Sequence, residues 1–373
     1  MSFHSKFRNI LLLSSLVPLL ASAVAEQNGN QKRQVAEAEF TYWLHETCMG
    51  RIEDSVAEAI EMASRAAARL QDGEDTLAAR YYELLYKAPR QLSGDPNDPI
   101  MQDELDITNT LQIISQATSV DEREEANVRF YCDNDGTPGA TGARWQKVPD
   151  NMSLPARYRN SRRQDNIEWQ DVVNHIRAEL TFETCGGGMQ GHTEGFKHQP
   201  RSNENDWPNE AEMRFVITIC NLQLNAGTDR PNYARIADLP DANFAALPDH
   251  MDAFGAVTSM VILHELSHAI KREDHVYFWS PSTRLSREKA VYNADSMAFF
   301  GVLSKLADLQ WRISDVPADA AVGILVRDFS LVPPNPRKLS AGELPKRNSG
   351  CVGNKAMVHG EDCRVFDRKE IGA

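Results

Sequence analysis

The chain has 373 residues, 42% of them hydrophobic, with 40 basic against 53 acidic side chains and a formal net charge of -13. That length can bury a sizeable core, and such acidity argues against nucleic acid and anionic membrane surfaces as partners. It suits an extracellular protein in mildly acidic or neutral medium and would favour basic substrates; the chain is expected to be a monomer, with protein or peptide substrates.

Lys6 and Arg8, an apolar run from Ile10 to Leu20, and Ala23-Val24-Ala25 form the pattern of a secretory signal peptide over 1–25. Lys32-Arg33 is a dibasic site that would release a pro-segment, 26–33; an ordinary charged pair in a loose terminus is the alternative. Residues 1–33 carry Lys6, Arg8, Lys32, Arg33 and Glu26, so their removal takes the net charge from -13 to about -16. No later stretch is long and apolar enough for a membrane helix. The protein is therefore expected to be secreted and extracellular.

Six widely spaced cysteines, Cys48, Cys132, Cys185, Cys220, Cys351 and Cys363, read as three disulfides in an oxidising compartment. Cys351 and Cys363 bracket a short polar loop and are expected partners; spacing leaves the pairing of the other four open. Asn151-Met152-Ser153 is an N-glycosylation sequon in a polar stretch.

Apolar residues at helical spacing predict helices over Arg51–Leu70, Leu77–Tyr86 and Asp103–Gln116, making 40–125 a helical N-terminal portion. From Phe130 to Arg163 the composition turns to Gly, Pro, Asn and Arg, expected as a surface excursion tied down by Cys132. Ile176–Thr184 and Met213–Leu224 carry the β-branched enrichment of strands. The run C-G-G-G-M-Q-G-H-T-E-G-F from Cys185 reads as a flexible loop, with His192 and His198 exposed. A further helix is expected from Ser286 to about Trp311, inside a catalytic portion over 170–315. No linker divides 34–335, and 336–373 is a loop-like tail.

Val261–Lys271 reads V-I-L-H-E-L-S-H-A-I-K and holds His264, Glu265 and His268 in the spacing HExxH. Histidines four apart share one face of a helix, so both imidazoles can reach one ion. Glu265, beside the first of them, is placed to act as general base on a water. Met251, Phe254, Val257, Met260, Val261 and Leu263 lead into the motif as an apolar run, so the helix is expected to be buried. The competing reading is a core helix whose histidines are merely hydrogen-bonded, but buried His, Glu and His within about one turn are costly unless paired or metal-bound.

H-E-L-S-H-A, followed by Asp274-x-x-Tyr277 and by Asn293-Ala294-Asp295-Ser296, resembles the active-site half of the deuterolysin-like aspzincins, fungal secreted zinc endopeptidases that include the peptidyl-Lys metallopeptidases. The likeness runs over Met213–Leu303 and is weaker in the helical N-terminal region. It implies an α+β, mainly helical fold: a zincin-like catalytic domain with an active-site HExxH helix, a small β-sheet and a helical N-terminal portion. It also implies one zinc ion per chain, His264, His268 and Asp274 as metal ligands, Glu265 as catalytic base and Tyr277 as the hydroxyl facing the oxyanion. The chain departs from the family in having Lys271-Arg272-Glu273 where a Gly-Thr step precedes the ligand Asp.

Read from the residues alone, Glu288 and Asp295 compete with Asp274 as third ligand, and Asp295 could instead support a ligand histidine. Tyr277 could simply pack beside Phe278 and Trp279. The expected activity is hydrolysis of peptide bonds by a zinc endopeptidase. The alternative is a secreted zinc-binding or host-interaction protein with weak or no proteolysis.

Overall fold

The first long helix follows from its composition. Glu53–Gln71 (α1) is rich in alanine and places Val56, Ala59, Ala63, Ala66 and Leu70 in the core, with Glu53 and Asp54 in its first turn and Arg69 in its last, as the helix dipole favours. It follows a short strand, Thr41–Leu44 (β1), that the composition does not announce. Thr76–Tyr86 (α2) is capped by Asp75, whose side chain accepts the Ala78 N–H at 2.8 Å, a contact worth about 1 kcal/mol. Pro99–Ser115 (α3) starts at a proline preceded by the capping Asp98, four residues before the expected start.

The structure is a computed structural model and describes residues 40–90, 98–132, 144–147, 167–171, 173–174, 176–179, 185, 190–197, 213–224, 232–239, 243–247, 250–270 and 275–331. All belong to one unit, Phe40–Ala373. The signal and pro-segments, the Asn151 sequon, His198, Asp274, Cys351, Cys363 and the tail lie outside the described residues.

The strands that follow are Thr118–Ser119 (β2), Val128–Tyr131 (β3), Trp145–Lys147 (β4), Ile167–Asp171 (β5), Ile176–Glu179 (β6), Gly191–Lys197 (β7) and Met213–Ile219 (β8). Four of them join β1 in one sheet in the order β2-β1-β3-β8-β7. Its pairs are parallel except the last, where β7 runs antiparallel to β8 with Gly191 opposite Ile219 and Lys197 opposite Met213. Two expectations are corrected here. The glycine-rich stretch is a paired strand from Gly191 onward, and its His192 is half-buried opposite Thr218. The strand expected to reach Leu224 stops at Ile219, and Asn221–Leu224 (α4) is a helical turn.

A second sheet, β4-β5-β6, is antiparallel. Arg144 ties it to the first: its guanidinium donates to Asp171 Oδ2 at 2.6 Å and to Thr218 Oγ1 at 3.0 Å, and stacks 4.0 Å from the Tyr131 ring centroid. Both charges are buried, so removing either partner would cost about 3–5 kcal/mol. Two disulfides hold strand ends: Cys48–Cys132 joins the segment after β1 to the end of β3, and Cys185–Cys220 joins the approach to β7 to the end of β8.

The second half is helical again: Thr258–His268 (α5), Trp279–Ser282 (α6), Arg287–Ala290 (α7) and Ala294–Asp308 (α8). The chain closes its described part with Trp311–Ile313 (β9), Pro317–Val322 (α9) and Leu325–Arg327 (β10), the two strands pairing antiparallel. The single helix expected from Ser286 to Trp311 is thus two, broken at Val291–Asn293. Helix α5 packs against α1, α3 and α8 and against β7 and β8, which makes it the centre of the fold. Gly301 of α8 permits this approach, because a Cβ there would collide with Leu263 Cδ2. Among the described residues helix outweighs strand and the sheet is small, a mixed α and β architecture. No described helix is long and apolar enough to cross a membrane.

Candidate metal centre

Helix α5 carries the HExxH motif and every residue from Thr258 to Ser267 is buried. The apolar run before it is a 3-10 helix, His250–Ala256, rather than a continuation of α5. The break comes at Val257, which bridges Tyr233. No side chain caps α5, and backbone carbonyls take that role: Tyr233 O accepts the Thr258 N–H at 2.7 Å and Ala234 O that of Ser259 at 3.2 Å. The 232–236 segment is itself fixed to α1, where buried Glu58 accepts from Ile236 N at 2.8 Å and from Ser259 Oγ at 2.5 Å. Burial pushes the Glu58 carboxyl above its ordinary range, against the pull of these two hydrogen bonds and of Lys305.

One turn apart on α5, His264 and His268 bring their Nε2 atoms within 3.1 Å of each other. On the far side of the first ring, His264 Nδ1 lies 2.7 Å from Asp295 Oδ1. A carboxylate there holds the proton on Nδ1 and leaves the Nε2 lone pair facing His268. Two imidazole nitrogens sharing a tetrahedral zinc at bonds of about 2.0–2.1 Å stand about 3.3 Å apart. The pair therefore fits such an ion in donor type, tautomer and spacing.

Among the described residues no third His, Cys, Asp or Glu joins the two histidines as a metal-binding group. Asp295 meets His264 at the nitrogen that points away from His268, an orienting position. Glu288 is exposed on α7, and its own backbone N–H and the Ser286 hydroxyl hold its carboxyl below the ordinary range. Helix α7 packs on α2, and its Arg287 pairs with Asp103 of α3.

The chain returns to the site at His275 and is pinned there by the N-terminus of α8. Asn293 Oδ1 accepts the N–H groups of His275 and Val276 at 3.1 and 3.2 Å. Asp295 Oδ2 accepts that of Phe278 at 2.6 Å, and Asp252 that of Trp279 at 2.6 Å. Four hydrogen bonds to three side-chain oxygens thus hold a segment in which Phe278 has φ 72°, a conformation costing a non-glycine residue about 1–3 kcal/mol. Tyr277 lies within it, half-exposed, its ring stacked on His264 at 21° with centroids 6.0 Å apart. Trp279 is turned into the core, where its indole N–H reaches Ala320 O at 2.9 Å.

Glu265 is buried against β7. Thr193 Oγ1 donates to Glu265 Oε2 at 2.6 Å, and a Cβ on Gly191 would stand 2.7 Å from Oε1. Neither residue stands out in a run of glycines and polar side chains; the available signal was the alternation of Gly191, Thr193 and Gly195, the period of a strand. Asn293 was visible in the family motif, but its role as acceptor for the His275–Val276 backbone was not. Compared with known proteins, the chain matches no family model and no curated sequence.

Proposed function

We propose that this chain is a secreted zinc endopeptidase of zincin type, similar to the aspzincins. The observation that carries the reading is the convergence of the His264 and His268 Nε2 atoms at 3.1 Å, with Glu265 between them in sequence and Asp295 on His264 Nδ1. His264 and His268 would hold the ion, with Asp274 as third ligand. Support for Asp274 comes from its neighbour His275, whose backbone is bound by Asn293, two residues before the aspartate that orients His264.

Bound zinc would supply Lewis acidity, polarising the scissile carbonyl and lowering the pKa of a water. Glu265 takes the proton of the attacking water and returns it to the leaving amine. The Tyr277 hydroxyl donates to the carbonyl oxygen as negative charge develops there. Strand β7, last in its sheet among the described residues and in contact with Glu265, suits a peptide substrate, because a terminal strand can bind an extended chain through main-chain hydrogen bonds. Secretion agrees with the N-terminal signal pattern and the two disulfides.

A zinc-binding protein without proteolysis is the rival reading, and the burial of Glu265 favours it. Casein hydrolysis abolished by a chelator and restored by zinc separates the two. Glu265→Gln should keep about one zinc per chain and lose about 100-fold or more in turnover. A Glu265→Gln protein with wild-type turnover would sink the mechanism.

A further inference from the structure

The contact between β7 and Glu265 is more specific than packing requires. Gly191 and Thr193 are two apart on a strand and so share one face. From that face Thr193 Oγ1 donates to Glu265 Oε2 at 2.6 Å while also lying 3.1 Å from the Glu265 carbonyl oxygen. At Gly191 a Cβ would stand 2.7 Å from Oε1, 3.0 Å from Cγ and 3.1 Å from Cδ. The strand is itself firmly held. It pairs with β8 along its whole length, the Cys185–Cys220 disulfide closes its approach, and Gln190 Nε2 donates to Gly255 O at 2.8 Å.

We propose that Gly191 and Thr193 form a positioning seat for the Glu265 carboxylate: the hydroxyl fixes one oxygen, and the glycine leaves room for the other. The inference rests on the reading of Glu265 as general base. A glutamate free to turn about its side-chain bonds forfeits about 1.5–2 kcal/mol of rotamer entropy each time it is brought into line. A base is effective only within hydrogen-bond reach of the proton it takes. The seat removes that freedom beforehand, from a strand that contributes no metal ligand. It also explains why the stretch is rich in glycine although it forms a strand: the cause at Gly191 is the approach of Glu265.

Three variants test the seat without touching a proposed metal ligand. Thr193→Val keeps the shape and deletes the donor, Thr193→Ser keeps the donor, and Gly191→Ala adds the Cβ. Thr193→Val and Gly191→Ala should lower kcat by about 10- to 100-fold with little change in KM. Thr193→Ser should restore kcat to near the wild-type value, and zinc affinity should be unchanged in all three. In metal-free protein the melting shifts of Thr193→Val and Glu265→Ala should be non-additive, because both remove the same contact. Wild-type kcat in Thr193→Val and Gly191→Ala while Glu265→Gln is inactive would overturn the seat and leave the base reading standing. Additive melting shifts would overturn it irrespective of activity, as would failure of Thr193→Ser to rescue. Failure of the base reading shows separately, as turnover in Glu265→Gln.

Discussion

Asp295 Oδ1 sits 2.7 Å from Nδ1 of His264, and the other oxygen of the same carboxylate accepts the Phe278 N–H at 2.6 Å. One side chain thereby sets the tautomer of a histidine and holds the backbone beside the aromatic ring stacked on it. The arrangement links two things that are far apart in sequence, the lone pair His264 offers toward His268 and the position of Tyr277. It also stabilises the positive φ of Phe278, which a residue with a side chain disfavours.

Asparagine at position 295 cannot keep both contacts, because its amide has one acceptor oxygen where the carboxylate uses two. Asp295→Asn should therefore weaken zinc binding by about 10- to 100-fold, the usual effect of losing a partner behind a ligand histidine. Competition with a chromophoric chelator measures the loss. Nitrogen NMR of the metal-free protein should show His264 shifting away from the Nδ1-protonated form. Wild-type affinity together with an unchanged tautomer would show that Asp295 does not orient the ring.

Glu58 gives a pH dependence of stability. Burial raises its carboxyl pKa in the fold, the Ser259 hydroxyl, the Ile236 N–H and Lys305 pull it down, and Glu61 adds to the rise. A carboxyl with a raised folded pKa binds its proton more tightly in the native state. Its contribution is complete below the ordinary glutamate pKa and is lost as pH rises through the raised value. Glu58→Gln retains an oxygen acceptor for Ser259 and Ile236 but carries no charge. The melting temperature of the wild type should consequently fall relative to Glu58→Gln as pH climbs from the acid side of that window to neutrality. A difference between the two proteins that stays constant with pH would contradict the assignment.

The HExxH helix was legible because its signal is local: i,i+4 histidines and an apolar run need no knowledge of the rest of the chain. The first three helices were legible for the same reason, each to within a few residues at its ends. Strands β1 and β3 were not, being four residues each and flanked by parallel partners, and β3 is buried throughout, so no alternation marks it. Strand β7 was hidden by glycines, one of which answers to a contact more than seventy residues away. The break at Val291–Asn293 is also tertiary, since Asn293 serves the backbone of His275 and Val276. Cysteine spacing announced disulfides but not partners, and Cys48–Cys132 closes a separation of 84 residues that nothing local encodes. At the site itself, the sequence left Asp295 open between ligand and support, and the geometry puts it on Nδ1.

The third ligand gives the last prediction. Two neutral imidazoles on a dication call for a hard anionic oxygen, and Asp274 or Glu288 could supply it. Glu288 is exposed and engaged by its own backbone N–H and by Ser286, on a helix packed against α2. Asp274 directly precedes His275, whose N–H is bound by Asn293 at the same helix end that orients His264. Asp274→Ala should therefore reduce zinc affinity well beyond the about 10- to 100-fold expected at Asp295, and should abolish hydrolysis while the disulfide-held chain keeps its circular dichroism spectrum. Glu288→Ala should bind zinc like the wild type and retain activity, since it removes an exposed carboxylate whose partners are local. Equilibrium dialysis on the two variants decides between them. Zinc retained by Asp274→Ala and lost by Glu288→Ala would reverse the assignment and end the likeness to the aspzincins at the histidine pair.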